Sequence, residues 1–246
     1  MKVMTFNIAS TIGTDKKSDW RRTADIIKAA DPDVAGCQEV TVHEDFEPDL
    51  DTPALFRDYL KLHVCFGRAT SRDSRGDYGV LALSKHRLEE VAILKLPNRE
   101  GYEQRICLIV RVCAAAPYYF LVTHFPTRTE YPGVEENRQQ AIRQITEAVA
   151  NNRWHPAILV GDFNMEHGTP TIHRLHEDWD VCNDRDPLAA THRSGYQLDF
   201  ICTYPKRCFS VNAFAVGEPT VASDHRPVTA GLELQPPAAT PLEPEP

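Results

Sequence analysis

The amino-acid sequence predicts an α/β fold. Short apolar runs rich in β-branched residues, which are typical of buried strands, alternate along the chain with stretches whose apolar residues recur at helical spacing. The clearest strand is the run 157–160, which ends in Gly161-Asp162-Phe163-Asn164, and the clearest helix is 135–150. With 246 residues and 42% apolar side chains, the chain is long enough to bury a substantial core.

The other elements can be assigned in chain order. A first helix over 18–30 has apolar residues at helical spacing and ends at Asp31-Pro32. Thr52-Pro53 and Thr169-Pro170 each suit the cap and first turn of a further helix, and the second of these is short. Residues 67–77, rich in Arg, Ser and Gly, are predicted to form a loop. Strands are predicted at 2–6, 34–37, 78–83, 88–96, 105–112, 118–123, 157–160, 198–203, 209–216 and 228–234.

Residues 1–235 are expected to form one domain, and the Pro-rich residues 236–246 a disordered tail. No apolar run approaches the ~20 residues of a membrane-spanning helix, and the first residues lack the layout of a signal peptide. The seven cysteines form no CxxC pair and mostly lie in apolar segments, which indicates buried free thiols in a reducing compartment. The protein is therefore expected to be cytoplasmic.

Chemically capable side chains follow many of the predicted strands. Such side chains add nothing to an apolar core, and the loops beyond strand ends are where open α/β sheets place their sites. A carboxylate beside a carboxamide suits a hydrated divalent cation and a phosphate group. The residues concerned are Asn7, Glu39, His124, Asp162, Asn164, Asp199, Asp224 and His225.

Some of these residues also have a purely structural explanation. Asn7 is a common turn former, and Ser223-Asp224-His225 could cap a turn before the last strand. His124 could be a hydrogen-bonded core histidine. Taken singly, none of these residues identifies a site.

Two carboxylates are harder to explain structurally. Glu39 and Asp199 are flanked by apolar residues, where a carboxylate is costly unless it is paired or bound to a metal. A second apparent cluster, by contrast, is interpreted as solvated histidines and not as a zinc site; it comprises His167, His173 and His176.

In combination, seven segments resemble the endonuclease/exonuclease/phosphatase superfamily, which has the deoxyribonuclease I-like fold. They occur in the family's order between residues 4 and 228, and Gly-Asp-Phe-Asn followed by Ser-Asp-His is specific in combination. The resemblance implies a four-layer α/β/β/α sandwich of two mixed β-sheets flanked by helices, with the site at one end. The segments are Met4-Thr5-Phe6-Asn7-Ile8, Gln38-Glu39-Val40, Asp77-Tyr78-Gly79, Thr123-His124, Gly161-Asp162-Phe163-Asn164, Leu198-Asp199-Phe200 and Ser223-Asp224-His225-Arg226-Pro227.

The resemblance also implies a metal site. Glu39 would be the main ligand of Mg²⁺, with Mn²⁺ as the alternative ion. Asn7 would lie close to both the metal and the phosphate, and Asp224 would support the metal or its water shell.

The catalytic roles likewise follow from the resemblance. Asp162 would position the attacking water, and Asn164 would hold a phosphate oxygen or the nucleophile. Asp199 would pair with His225 and fix its tautomer and orientation. His124 would match a second histidine near the phosphate.

Three further residues are weaker matches to the family pattern. Arg105, at the start of a strand, resembles the family's phosphate-contacting arginine, so the implied phosphate-binding set is Asn7, Asn164, Arg105 and His124. The family's usual Glu partner of the second histidine is replaced here by Asp77, followed by Tyr78. Because Asp is one methylene shorter, this pairing depends on whether Asp77 can reach the histidine.

These residues predict a Mg²⁺-dependent phosphoester hydrolase, a phosphodiesterase or phosphatase acting on a small or lipid-linked phosphoester. A DNA endonuclease or exonuclease is the alternative, and a non-catalytic binding member is ranked last because nearly all site positions are filled. Whether Asp162 or His225 is the general base stays open, as do the number of metal ions and the oligomeric state.

Local charge bears on the choice between the two substrate classes, although net charge alone does not decide it. The net charge is −8, and an acidic stretch that follows Glu39 is expected to rim the site and repel a polyphosphate backbone. Residues 61–111, with ten bases and six acids, support the nuclease alternative. Nucleic acid is thus a partner that the charge does not favour. The acidic residues are Glu44, Asp45, Glu47, Asp49 and Asp51, and the basic section includes Arg68, Arg72 and Arg75.

Overall fold

The computed structural model describes residues 1–70, 76–127 and 131–236. In this part of the chain, twelve strands form two six-stranded sheets, which are flanked by four α-helices. The predicted α/β/β/α sandwich is therefore confirmed. Arg72, Arg75 and residues 237–246 of the predicted tail lie outside the described residues.

The helices are α1 (Trp20–Ala30), α2 (Thr52–Leu60), α3 (Val134–Asn151) and α4 (Pro170–Asp178). Two short 3₁₀ segments lie at Ala9–Thr11 and Cys182–Arg185. The strands are β1 (Lys2–Asn7), β2 (Val34–Val42), β3 (His63–Thr70), β4 (Asp77–Ser84), β5 (Leu88–Lys95), β6 (Ile106–Val112), β7 (Tyr118–His124), β8 (Ala157–Asp162), β9 (Asp180–Val181), β10 (Asp199–Tyr204), β11 (Phe209–Val216) and β12 (Val228–Leu234).

Both sheets are mixed. The first has the order β11-β12-β1-β2-β4-β3, and the second has the order β5-β6-β7-β8-β10-β9. One parallel pair lies inside each sheet, β1 with β2 and β7 with β8, and the neighbouring pairs are antiparallel. Because parallel strands end at the same edge of a sheet, the residues that follow these four strands are brought together.

Alternation of side chains along the central strands builds three apolar layers. In β1, Val3 packs between the sheets and Met4 packs under α1 and α2. In β8, Val160 packs between the sheets and Leu159 packs under α3 and α4. The sheets approach closely at Gly36 of β2, where a Cβ atom would come 2.5 Å from a methyl group of Val160. The central strands of each sheet are thus buried on both faces. Polar side chains that could act in a reaction therefore lie at the sheet edges, beyond the strand ends.

Two predicted boundaries were wrong. The predicted loop 67–77 begins inside β3, an edge strand whose Gly67 packs against Leu108 of the other sheet. The Arg and Ser residues of the segment 67–77 indicated a loop. An edge strand also tolerates polar residues on its exposed side, so the strand was not recognised. Strand β2 does not end at Gln38-Glu39 but continues to Val42 through a break in register between Cys37 and Val40.

None of the helices in the described ranges has the length and apolarity needed to cross a lipid bilayer. All seven cysteines are free, and four of them are buried. Burial raises the pKa of Cys37 to about 12, so its thiol stays protonated and acts as an apolar core group.

Candidate active site

Strand ends from both sheets meet around Asp162, the last residue of β8. In the strand register, His124 of β7 lies beside it on one side and Asp199 of β10 on the other. A cavity of about 440 Å³ opens at this edge. The residues lining it are Ala9, Glu39, Tyr78, Glu103, Arg105, His124, Thr127, Asp162, Asn164, His192, Leu198, Asp224 and His225.

Glu39 reaches the cavity from the other sheet through the irregularity in β2. Its φ of 56° lies in the left-handed region, which is uncommon for a residue other than glycine, asparagine or aspartate. A β-bulge of this kind turns a side chain away from the regular alternation and is often found next to a site. The strained conformation therefore serves to present the Glu39 carboxylate.

Asn7 connects the two sheets at the cavity. Its Nδ2 donates to Oε1 of Glu39 and to Oδ2 of Asp162, at 3.0 Å in each case. Its Oδ1 accepts from the backbone N–H of Ala9 at 3.0 Å. The amide oxygen is thus already engaged, and Asn7 is arranged to hold the two carboxylates beside each other.

The carboxylate of Asp162 is buried, and both of its oxygens contact polar groups. Its Oδ1 accepts from the backbone N–H of Asn164 at 2.9 Å, and its Oδ2 lies 3.5 Å from Nε2 of His124 and 3.6 Å from Nε2 of His225. Burial raises the pKa of Asp162 to about 7, against the opposing charge of His225 and the hydrogen bonds from Asn7 and Asn164. A carboxylate with such a pKa is suited to exchange protons near neutral pH.

His225 is held between two carboxylates. Its Nδ1 lies 2.8 Å from Oδ2 of Asp199, which is completely buried, and its Nε2 faces Asp162 and the cavity. Burial lowers the pKa of His225, but the charges of Asp199 and Asp162 outweigh burial and raise it to about 10. The imidazole is therefore held in its protonated form, oriented by Asp199.

The Asp199–His225 pair should make stability depend on pH. The folded-state pKa of about 10 lies above the unfolded value of ~6.5, so its contribution is complete below ~6.5 and is lost as the pH rises through about 10. In the presence of a chelator, the thermal midpoint of the wild type should fall over this range by roughly 5 °C more than that of Asp199→Asn. Parallel pH profiles for the two proteins would show that Asp199 does not hold the His225 proton.

The second histidine belongs to a set of hydrogen-bond donors. Arg105 places a guanidinium nitrogen 3.1 Å from Nδ1 of His124, and Nδ2 of Asn164 lies 3.1 Å from Nε2 of the same ring. Because arginine only donates, Nδ1 of His124 accepts in its contact with Arg105, and the Asn164 amide also donates from Nδ2 to the backbone carbonyl of Phe125 at 3.0 Å. Glu103 pairs with Arg105 at 2.8 Å, inside a nearly buried environment. The sequence motifs did not indicate Glu103, although it lies two residues before Arg105.

The expected partnership of Asp77 with His124 is not formed. Asp77 instead pairs with Nε of Arg68 at 2.6 Å, while Arg105 and Asn164 approach the two ring nitrogens of His124. The shorter Asp is thus committed to its neighbour across the β3–β4 ladder. The following residue, Tyr78, is buried and lines the cavity as expected.

Asp224 meets a residue that the sequence motifs missed. His192 places Nε2 3.5 Å from Oδ2 of Asp224, and its ring centroid is 4.6 Å from that of His225. The backbone N–H of Ser194 donates to Nδ1 of His192, so that the Nε2 proton faces the carboxylate. The hydrogen bond from His192 lowers the pKa of Asp224 and keeps it ionised beside the cavity.

The donor set fits a hard divalent cation. Ligand atoms of Glu39, His124 and Asp162 lie within 4.8 Å of one another, and the cavity also collects the carboxylates of Asp224 and Glu103. Carboxylate oxygens are the ligands that Mg²⁺ prefers. The carboxylates of Glu39, Asp162 and Asp224 are the groups of this cavity that could hold such an ion.

The acidic stretch does not rim the cavity as expected. None of its five residues is among the described residues that line the cavity. Glu44 is buried, and Asp51 caps α2 by accepting from the backbone N–H of Ala54 at 3.0 Å. Closeness to Glu39 in sequence does not place these side chains at the site, because β2 continues past Glu39 and carries them away.

Two of the three histidines interpreted as solvated do come together. His167 and His176 lie 3.9 and 3.5 Å from Oδ1 of Asp184. Burial lowers the pKa of His167, whose ring is only partly exposed. His173 is exposed and lies apart from this group. These contacts connect α4 and the loop before it to the 3₁₀ segment that follows β9.

Comparison with known proteins agrees with the fold. The crystal structure of an endonuclease/exonuclease/phosphatase from Beutenbergia cavernae aligns with a TM-score of 0.80 at 23% identity, covering 95% of this chain and 71% of that one. A mannosyl-6-phosphatase from Bacteroides thetaiotaomicron aligns at 0.71 and 16% identity, covering 95% and 100%. The human Nocturnin catalytic domain aligns at 0.71 and 21% identity, covering 96% and 94%.

No curated protein matches the sequence. The model of the Endonuclease/Exonuclease/phosphatase family, by contrast, matches residues 4–225. This span runs from the first strand to His225 and includes the residues that meet at the cavity. The chain therefore belongs to the endonuclease/exonuclease/phosphatase family.

Proposed function

We propose that this protein is a Mg²⁺-dependent hydrolase of small phosphoesters, free or lipid-linked. The observation that carries the proposal is the meeting, in one cavity, of a carboxylate pair, a protonated histidine and a set of phosphate-binding donors. Glu39 and Asp162 supply the carboxylates, and His225 is the histidine. A phosphoryl group needs charge neutralised on its oxygens, a positioned nucleophile and help for the leaving oxygen.

We infer that the phosphate is held at the part of the cavity lined by Asn164 and His124. Arg105 orients His124 by donating to its Nδ1 at 3.1 Å. Asn164 has a φ of 54°, a conformation that asparagine tolerates well, and this turn is fixed by the hydrogen bond to Asp162. Donors fixed in advance stabilise developing negative charge without reorganising.

Asp162 is our candidate for the general base. Since Asp199 and Asp162 keep His225 protonated, His225 is a donor and not an acceptor in the resting site. We infer that it donates from Nε2 to a phosphate oxygen while Asp162 takes the proton of the attacking water. Asp199 acts through His225 and is a positioning residue.

A divalent cation would be held by Glu39, supported by Asp162 or Asp224. When bound, it would supply charge neutralisation at the phosphate and at the leaving oxygen. Asn7 would then keep Glu39 and Asp162 in register through its amide N–H groups.

The ion pairs within the basic section, residues 61–111, favour a small substrate over nucleic acid. Five of the eight described bases between residues 61 and 111 pair with carboxylates, which reduces the positive charge available to follow a polynucleotide backbone. Among the structures similar in fold, one is a phosphatase of a sugar phosphate. The paired bases are Arg68, Lys85, Arg87, Arg105 and Arg111.

A substrate panel tests this proposal. The purified protein should release phosphate from sugar or lipid phosphates in Mg²⁺ and lose this activity in chelator, while leaving supercoiled plasmid unnicked. Plasmid nicking that needs Mg²⁺ would instead favour the nuclease alternative. A protein that binds phosphoesters without turning over any member of the panel would be the non-catalytic member.

A further inference from the structure

A second, positively charged cleft adjoins the active-site cavity. We propose that it binds a second phosphate group of the same substrate molecule, so that the preferred substrate is a small bisphosphorylated compound. This inference rests on the proposed function and specifies its substrate class. The cleft is formed by the loop after β1 and the loop before β12.

The cleft is continuous with the cavity. It comprises two adjoining hollows of about 180 and 250 Å³, which share Thr14, Arg193 and Asp224. Asp224 also lines the active-site cavity, as do Ala9 from the first hollow and His225 from the second. A ligand can therefore extend from the reacting phosphate into the cleft without crossing a barrier of protein.

Three cations line this cleft without a carboxylate partner among the described residues: Lys16, Arg193 and Arg226. Eight arginines elsewhere in the described ranges pair with Asp or Glu; they are Arg22, Arg57, Arg68, Arg87, Arg105, Arg111, Arg138 and Arg174. The one carboxylate of the cleft, Asp224, is engaged by His192. The cleft thus has an excess of positive charge in a protein of net charge −8.

The walls of the cleft are held together by backbone hydrogen bonds. The N–H of Thr14 donates to the carbonyl of Val221 at 2.9 Å, which joins the two loops. A Cβ atom at Gly13 would come 2.5 Å from the same carbonyl, so the chains touch there. Residues 9–11 all have φ between 47° and 59°, a run of left-handed conformations that is costly and persists only where its surroundings impose it.

Backbone hydrogen bonds also place two of these cations, Arg193 and Arg226, beside the reacting groups. Arg193 follows His192, and its N–H donates to the carbonyl of Asp224 at 2.9 Å. Arg226 follows His225, and its N–H donates to the carbonyl of Thr191 at 2.6 Å. Arg193 and Arg226 therefore each extend from a segment that also carries a histidine of the cavity, so their backbone positions are set beside the reacting groups.

The dimensions favour a phosphate over a nucleic-acid strand. Guanidinium and ammonium groups bind phosphate through charge-assisted hydrogen bonds, and two arginines with a lysine suit one dianionic group. The hollows are small, at about 180 and 250 Å³, and their cations are Lys16, Arg193 and Arg226. A polynucleotide needs a longer row of cations to follow its backbone.

Steady-state kinetics and calorimetry of Arg193→Gln test this inference. We expect wild-type kcat/KM to be about tenfold or more higher for glucose 1,6-bisphosphate than for glucose 6-phosphate, which corresponds to ~1.4 kcal/mol of added binding. Arg193→Gln should reduce that ratio toward one, and Arg226→Gln should act in the same direction. Arg143→Gln, an exposed arginine on α3 away from the cleft, should leave the ratio as in the wild type.

Calorimetry separates this inference from the proposed function, since binding needs no turnover. Wild-type protein should bind glucose 1,6-bisphosphate about tenfold more tightly than glucose 6-phosphate, and Arg193→Gln should lose the difference. Equal affinities in the wild type, or a preference that Arg193→Gln retains, would overturn the second phosphate site. Failure of every substrate to turn over while the binding preference remains would instead contradict the proposed hydrolase activity.

Discussion

Replacing Asp162 by asparagine should lower kcat by about 1000-fold, within the range expected for a group that handles a proton in the rate-limiting step. Asparagine keeps the size of the side chain and can still accept from one of the two donors, Asn7 Nδ2 or the backbone N–H of Asn164, but it cannot accept a proton from water. The measurement is the Mg²⁺-dependent hydrolysis of a bis-aryl phosphodiester at pH 7.

The stability of Asp162→Asn distinguishes this role from a structural one. Because burial raises the pKa of Asp162, the folded protein disfavours the charged carboxylate, and a neutral side chain of equal size should keep or increase the free energy of unfolding. Asp58→Asn, an exposed carboxylate paired only with Arg57, is the matched control and should retain full activity. A fully active Asp162→Asn protein would remove Asp162 from the mechanism.

Glu39→Gln should raise the Mg²⁺ concentration needed for half-maximal activity by about 100-fold. Glutamine preserves the volume and can still accept from Asn7, so the bulge in β2 and the fold should be unaffected. What is lost is the charge that holds the cation. The measurement is a Mg²⁺ titration of activity after treatment with chelator.

A control for the Glu39 substitution is available in the acidic stretch nearby. Glu47→Gln removes one carboxylate from the same region of sequence, but its side chain does not line the cavity. It should therefore leave the Mg²⁺ titration unchanged. Equal titrations for Glu39→Gln and the wild type would show that Glu39 is not the metal ligand.

The sequence predicted the meeting of the strand ends for a simple physical reason. An apolar run such as that of β8 has to be buried, so the first polar residues beyond it must lie at the sheet edge, and parallel neighbours share that edge. This reasoning located Asn7, His124 and Asp162 correctly near one another. The resemblance added the pairing of Asp199 with His225, which is present.

Features that depend on loop paths were not predictable in this way. His192 and Glu103 lie outside any strand end, and their approach to the cavity depends on how distant loops pack. The bulge at Glu39 was missed because sequence alternation does not report a positive φ. For Asp77, the predicted loop and the implied partner were both wrong, since Asp77 begins β4 and its shorter side chain pairs with Arg68.

The difference between closeness in sequence and closeness in the fold also explains why the acidic stretch was wrongly expected to rim the cavity. The acids after Glu39 are close to it in sequence, but the extra length of β2 separates them from the cavity. In the sequence, the basic section 61–111 supported a nucleic-acid partner. In the structure, Arg68, Arg87 and Arg111 of this section pair with carboxylates. Charge summed along a chain reports on partners only when the charged groups remain unpaired on one face.

The central claim is that this cavity cleaves phosphoesters with the help of a divalent cation. Its most direct test is hydrolysis of a bis-aryl phosphodiester by chelator-treated wild-type protein, with and without added Mg²⁺, beside His225→Ala. We expect turnover that appears only with Mg²⁺ and falls by at least about 100-fold in His225→Ala. Turnover that is equal with and without Mg²⁺, or equal in the wild type and His225→Ala, would contradict the account.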